Sequence, residues 1–248
     1  MKKRVITVLC VLFWLTVWQL GAMALNQKIL LVTPVAVVKR LVELVPKADF
    51  RNSIAFSAGK ILLGFAMGLA AGTGLALLSG KISFVRQLLS PLVSVLKSIP
   101  VASFTILALI WISSRNLSVL VSFLICVPIV YTNMLEGLDN LDPKLKIMAE
   151  LFHIPPWRRF VGVYLSQLLP YFRSASGLAI GLCWKSGVAA EVIGIPNGSI
   201  GEKLYMSKVY LETADLFAWT LVIILVSRLC EGIFTALVKL LVKRVERM

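Results

Sequence analysis

Charge is scarce in this chain of 248 residues: 15% are Asp, Glu, Lys or Arg, 58% are hydrophobic, and the mean hydropathy is +0.89. A soluble domain of this length carries far more charge, so a chain built this way belongs in lipid. Histidine occurs once, at His153, and Asp plus Glu total 12. With so few acids and one histidine there is no HExxH, no GxSxG and no paired-carboxylate pattern, which leaves an intramembrane hydrolase without support. No GxxxxGK[ST] phosphate loop occurs either. The nearest strings, Ser79-Gly80-Lys81 and Trp184-Lys185-Ser186, lack the first glycine and the strand–loop–helix setting. Cys10, Cys126, Cys183 and Cys230 each lie inside an apolar run, without CxxC spacing or a nearby histidine. They read as small buried hydrophobes, so neither a metal nor a cofactor is expected. The net charge of +14 could suggest nucleic acid. That reading fails because the cations sit between apolar runs rather than on one compact basic face.

What is present is a series of spanning-length apolar stretches, at about 5–25, 54–79, 88–112, 117–135, 172–194 and 216–238. The expected fold is therefore all-α: one polytopic transmembrane domain of about six helices. The first stretch opens with Lys2-Lys3-Arg4 and passes Ala22-Met23-Ala24, a combination shared with cleavable signal peptides. Its length and its Trp14 and Trp18 favour an uncleaved first span. Lys and Arg are more numerous in the regions that six spans place inside than in those placed outside, which puts both termini in the cytoplasm of a bacterial cell membrane.

Between the first two spans, Pro34 opens VAVVKRLVELV, with Val35, Val38, Leu41/Val42 and Val45 at helical spacing. A short helix lying on the outer surface is expected there, closed by Pro46. In the second span Gly64, Gly68 and Gly72 recur every four residues, a smooth ridge that lets another helix approach closely in lipid. Generic glycine usage in membrane helices is the plainer alternative. Lys81 to Gln87 reads as a short basic inner loop. In the third span Pro91 and Pro100 bracket Lys97, and prolines at membrane depth either kink a helix or break it where it lines a pathway. Lys97, Lys185, Glu191 and Arg228 are charged residues inside spans, and with Pro100 they are the translocation-path candidates. Lys185 and Glu191 are six residues apart and face different sides, whereas Arg228 and Glu231 can pair locally. The positive bias suits a small anionic solute; interhelical salt bridges and snorkelling explain the same residues without a pathway.

Residues 139–171 form the one sizeable loop on the basic side. A short amphipathic helix is expected from Leu145 to Ile154, stopped by Pro155-Pro156, with Trp157-Arg158-Arg159 returning to the bilayer surface. Met148, Leu151 and Phe152 are apolar residues on this helix and need a partner groove or the chain's own helix ends to cover them.

Over about residues 30–248 the sequence resembles the permease subunit of binding-protein-dependent ABC importers, in the nitrate/sulfonate/taurine branch. The resemblance rests on Pro91…Lys97-Ser98-Ile99-Pro100, on Gly137-Leu138 followed by Asp142-Pro143-Lys144-Leu145, and on Gly177 to Trp184 with Val188-Ala189-Ala190-Glu191. The family's cytoplasmic signature, EAA, three residues, Gly, nine residues, Ile-x-Leu-Pro, falls on Ile147-Met148-Ala149, His153 and Val163-Tyr164-Leu165-Ser166. Ala149, Val163 and Leu165 fit, while the Glu, the Gly and the final Pro are replaced.

The resemblance implies a non-enzymatic permease in the lipid bilayer with cytoplasmic ABC ATPase subunits, an extracytoplasmic substrate-binding protein and a second permease, either another copy of this chain in a homodimer or a related chain. It also implies an ATPase-coupling loop containing Met148, Ala149, Leu151, Phe152, His153, Ile154 and Trp157. The competing expectation is an ion-gradient-driven secondary transporter or channel. That reading wants inverted repeats and midplane acids; no repeat is visible, and Glu191 is the one candidate acid.

Overall fold

A computed structural model describes the chain from Lys2 to Val245, except residues 26, 28, 156, 157 and 159. The described residues are helical throughout, with no β-strand. Helix α1 (Lys2–Leu25) is followed by α2 (Pro34–Leu44), α3 (Ala48–Lys81), α4 (Ser83–Ser98) and α5 (Val101–Ala108). Next come α6 (Ser114–Asp139), α7 (Pro143–Leu151), a π-helical turn (Phe160–Leu165), α8 (Ser166–Gly194), α9 (Ile200–Val209) and α10 (Thr213–Val245). Five helices are long and apolar enough to cross a membrane, or 6 counting the bent pair α4–α5. The chain is an all-α polytopic membrane protein.

The core is the packing of α3, α6 and α8. Gly64, Gly68 and Gly72 are buried and face α6. A Cβ on Gly64 would stand 2.9 Å from the Ser122 Cβ, one on Gly68 3.0 Å from the Phe123 carbonyl oxygen, and one on Gly72 2.9 Å from the Val130 Cβ. The contacts advance together in both helices, so α3 and α6 run parallel with backbones in near contact, the arrangement small residues permit in lipid. Helix α8 runs antiparallel to them. Its Gly187 sits against Ile61 and Ser122, and Gly137 of α6 sits against Tyr171. Trp184 and Ile180 of α8 are fully enclosed in this core.

Parallel α3 and α6 require the chain to cross back between them, and α4 and α5 make that crossing. They meet at an angle of 101°. The corner is Pro100, which caps α5, with Ile99 held extended at ψ 126; the residue before a proline is driven out of the helical region. Pro91 lies inside α4 without ending it. The stretch Lys81 to Gln87, expected as a loop, is a corner of one residue: Ile82 separates α3 from α4, because its extended backbone (φ −124, ψ 103) suffices to turn the chain.

The periphery is lightly attached. Helix α1 touches the bundle through Trp18, which stacks on Phe217 of α10 at 5.6 Å between ring centroids. Helix α2 starts where expected, with Thr33 as N-cap and Pro34 in the first turn. Its buried residues are Val37 and Leu44, while Val35, Val38, Val42 and Val45 point outward. The valine row of the sequence is thus the outward face, because Arg40 on the opposite side is drawn to Asp215 of α10. Hydrogen bonds to Asp215 and then to Glu43 raise the pKa of the Arg40 guanidinium above its ordinary value.

Candidate functional site

Four places gather polar or exposed apolar groups. The first is α7. Asp142 starts the helix, its Oδ1 accepting the Lys144 N–H at 2.8 Å, with Pro143 in the first turn. The Asp142 N–H donates to Gln167 Oε1 at 2.8 Å, which ties the start of α7 to α8. The helix ends at Leu151, earlier than Ile154. His153 adopts φ 46, and this left-handed residue ends the helix before Pro155 is reached. That is the position onto which the family's glycine falls, and φ > 0 is where glycine is normally used. The His153 Nδ1 lies 3.1 Å from the Leu151 carbonyl. Ile147, Leu151 and Phe152 are 64%, 72% and 70% exposed, and Met148 is exposed as well. Ile154 follows the helix, half-buried; Ala149 is on α7, its side chain outside the described residues, as is Trp157 altogether.

The second place is a cavity of about 340 Å³ between α4 and α6, lined by Arg86, Ser90, Val93, Ser94, Lys97, Tyr131, Thr132 and Leu135. A further hollow along the same helix adds Ser83, Gln87 and Pro91. One face of α4 is therefore polar along its length. Sequence reasoning singles out Lys97 and Pro91 but not Ser90, Ser94 or Thr132. The signal is nevertheless present: Ser83, Gln87, Ser90, Ser94 and Lys97 recur at helical spacing.

The third place is a cavity of about 530 Å³ between α8 and α10. It brings Lys185 and Arg228 together with Gly177, Gly181, Trp184 and Glu231. Arg228 is paired with Glu231 at 3.2 Å. Nothing lies within 4 Å of a Cβ built on Gly177 or Gly181, so this stripe of α8 is open where Gly187 is packed. Lys97 is not part of this cavity.

The fourth place is buried. Glu191 is 0% exposed and lines no cavity named above. Ser57 Oγ donates to Glu191 Oε2 at 2.6 Å and accepts the Ile200 N–H at 2.9 Å. The Gly201 N–H also donates to Glu191 Oε2, at 3.3 Å. Glu191 thus sits on the N-terminus of α9, where a carboxylate meets free N–H groups and the positive end of the helix dipole. Ser199 caps the helix, its Oγ accepting the Glu202 N–H at 2.9 Å, and Glu202 Oε2 reaches back to accept the Gly198 N–H at 2.6 Å, one residue before the N-cap. Lys203 adds an ion pair to Asp49 at 2.6 Å. The stretch between the fifth and sixth apolar runs therefore contains a helix braced onto α3 and α8, and its S-x-x-E start is readable in the sequence.

A family model described as the binding-protein-dependent transport system inner membrane component matches residues 64–247. The chain belongs to this permease family. The match takes in the glycine ridge, both cavities and α7. Among curated proteins, the permease is 25% identical over 232 residues to SsuC of Bacillus subtilis, whose name assigns it to aliphatic sulfonates transport; the match covers 92% of this chain and 83% of that one. It is 24% identical over 219 residues to the nitrate import permease protein NrtB of Leptolyngbya laminosa, covering 84% and 76%. It is 21% identical over 157 residues to the bicarbonate transport system permease protein CmpB of a Synechocystis strain, covering 63% and 55%. The permease family is one of transport.

Proposed function

We propose that the permease is the membrane subunit of an ATP-driven importer for a small anionic solute, coupled through residues 142–159 to ATPase subunits that are separate chains. The observation that carries this reading is the exposed apolar set on α7. Met148 and Leu151, with Phe152 just past the helix end, are exposed on a capped helix whose start is tied to α8 by Asp142 and Gln167. Exposed apolar residues on an otherwise charged segment need a partner groove. A helix so tied transmits a push on α7 to the spans. Coupling then requires that the outward-open and inward-open bundles present α7 differently to the ATPase.

An anionic cargo is supported by the cations of the two cavities, Lys97, Lys185 and Arg228, and by relatives whose names specify sulfonate, nitrate and bicarbonate. In this reading the partners are cytoplasmic ATPases, an extracytoplasmic binding protein and a second copy of this chain, for which the open α8 stripe offers room. Both termini and α7 lie on the cytoplasmic side in this reading, with α2 and α9 on the other. Purification of the tagged chain from its native membrane in mild detergent, followed by mass spectrometry, tests the assembly. An ATPase and a solute-binding protein should co-purify, and an anion should be recoverable from the binding protein. A chain that purifies alone from gently solubilised membranes and moves solute down an ion gradient would overturn the reading in favour of a secondary transporter.

A further inference from the structure

We propose that the face of α4 carrying Ser90, Ser94 and Lys97 is a binding subsite for a small oxyanion on its way through the membrane; this rests on the importer reading above. The three residues are spaced i, i+4 and i+7, so they share one helix face, and at 1.5 Å per residue they extend over about 10 Å. All three line the cavity between α4 and α6.

The hydrogen-bond inventory of that cavity decides what it can hold. Arg86 is already neutralised by Asp139, with Nη1 to Oδ1 at 2.9 Å and Nη2 to Oδ2 at 2.6 Å. The Tyr131 hydroxyl donates to Ser79 Oγ at 3.1 Å, and the Thr132 hydroxyl donates to the Pro128 carbonyl at 2.7 Å. The Ser98 hydroxyl, one turn beyond, turns back to the Ser94 carbonyl at 3.0 Å. What is left uncommitted among the described residues is the Lys97 ammonium and the hydroxyls of Ser90 and Ser94, all three on α4. An ammonium offers three donors and no acceptor, and each hydroxyl offers one donor.

The lining contains no acidic residue, so a cation has no counter-charge here. A ligand with several acceptor oxygens and negative charge, of the nitrate, sulfonate or carbonate class, matches the set. Lys97 also stands in the last turn of α4, where the helix dipole stabilises a cation. That alone would account for a lysine, but not for the run of uncommitted hydroxyls beneath it.

The test is the charge preference of thiol labelling at Ser94→Cys in the full-length chain in membranes, with the unsubstituted chain as background. The probes are 2-sulfonatoethyl methanethiosulfonate, itself a small sulfonate, and its trimethylammonium analogue, each normalised to its rate with a free small thiol. The anionic reagent should react at least tenfold faster. Lys97→Met should abolish the preference, and Lys97→Arg should keep it. Failure of the introduced thiol to react with either reagent, equal normalised rates, or a preference that survives Lys97→Met would each overturn the subsite. None of these results bears on co-purification of an ATPase, so the importer reading stands or falls separately.

Discussion

His153 holds a backbone conformation that most residues avoid. At φ 46 an L-side chain crowds the following carbonyl, a strain of about 1–2 kcal/mol for residues other than glycine. Its ring nitrogen beside the Leu151 carbonyl offsets part of that, and short polar or imidazole side chains tolerate the region best. His153→Gly should therefore keep the turn and leave the unfolding midpoint unchanged or higher. His153→Val should lower it by the equivalent of about 1–2 kcal/mol, and thermal unfolding of the purified protein in detergent compares the two. Glu191 is the other residue on which much depends. Removing its carboxyl group in Glu191→Ala leaves the Ser57 hydroxyl and the Gly201 N–H without their buried acceptor, at about 1–3 kcal/mol for each unsatisfied group before relaxation. Hydrogen exchange at Gly201 and its neighbours should rise selectively; uniform protection across α9 would show that the brace is not needed.

The place of His153 is legible in the sequence, because the spacing from Ile147 puts a glycine column there; the angle is not, since nothing in the residues themselves requires it. Glu191 is visible as a charge within a span. Its seat on the N-terminus of α9 is not, because the helix it caps lies nine residues further on, in a stretch whose mixed charge reads as loop.

At the scale of the element, the α3–α6 seam depends on the absence of three side chains. Gly68→Leu must push a branched chain between Phe123 and Cys126, and overpacking of this kind costs about 1–3 kcal/mol. Gly74→Ala makes the matched control. A Cβ there meets nothing within 4 Å, and glycine within a helix is about 1 kcal/mol worse than alanine, so this change should be neutral or stabilising. Equal losses from both would mean that glycine content rather than the seam sets stability. The ridge is readable from its four-residue period. The break between α4 and α5 is readable only as a choice: two prolines stand in the segment, and one bends the chain by 101° while the other is absorbed by its helix. The polar face of α4 is hidden from hydropathy, which is blind to which side a serine faces.

For the whole molecule, the number of spans is the easiest property to read, since lipid selects on composition over a length the helix geometry fixes. Orientation is a separate matter, argued from the distribution of Lys and Arg. A reporter fused after Val242 should be active only on the cytoplasmic side, and activity confined to the other side would invert the topology. The functional proposal then comes down to one surface. In Met148→Asp/Phe152→Asp, two exposed apolar residues, one on α7 and one just past its end, become charged without disturbing the buried core. Co-purification of the ATPase with this variant, measured beside its membrane insertion, is the decisive comparison. Loss of the ATPase with insertion intact is the expected result, and an undiminished ATPase yield would contradict the assignment of α7 as the coupling surface.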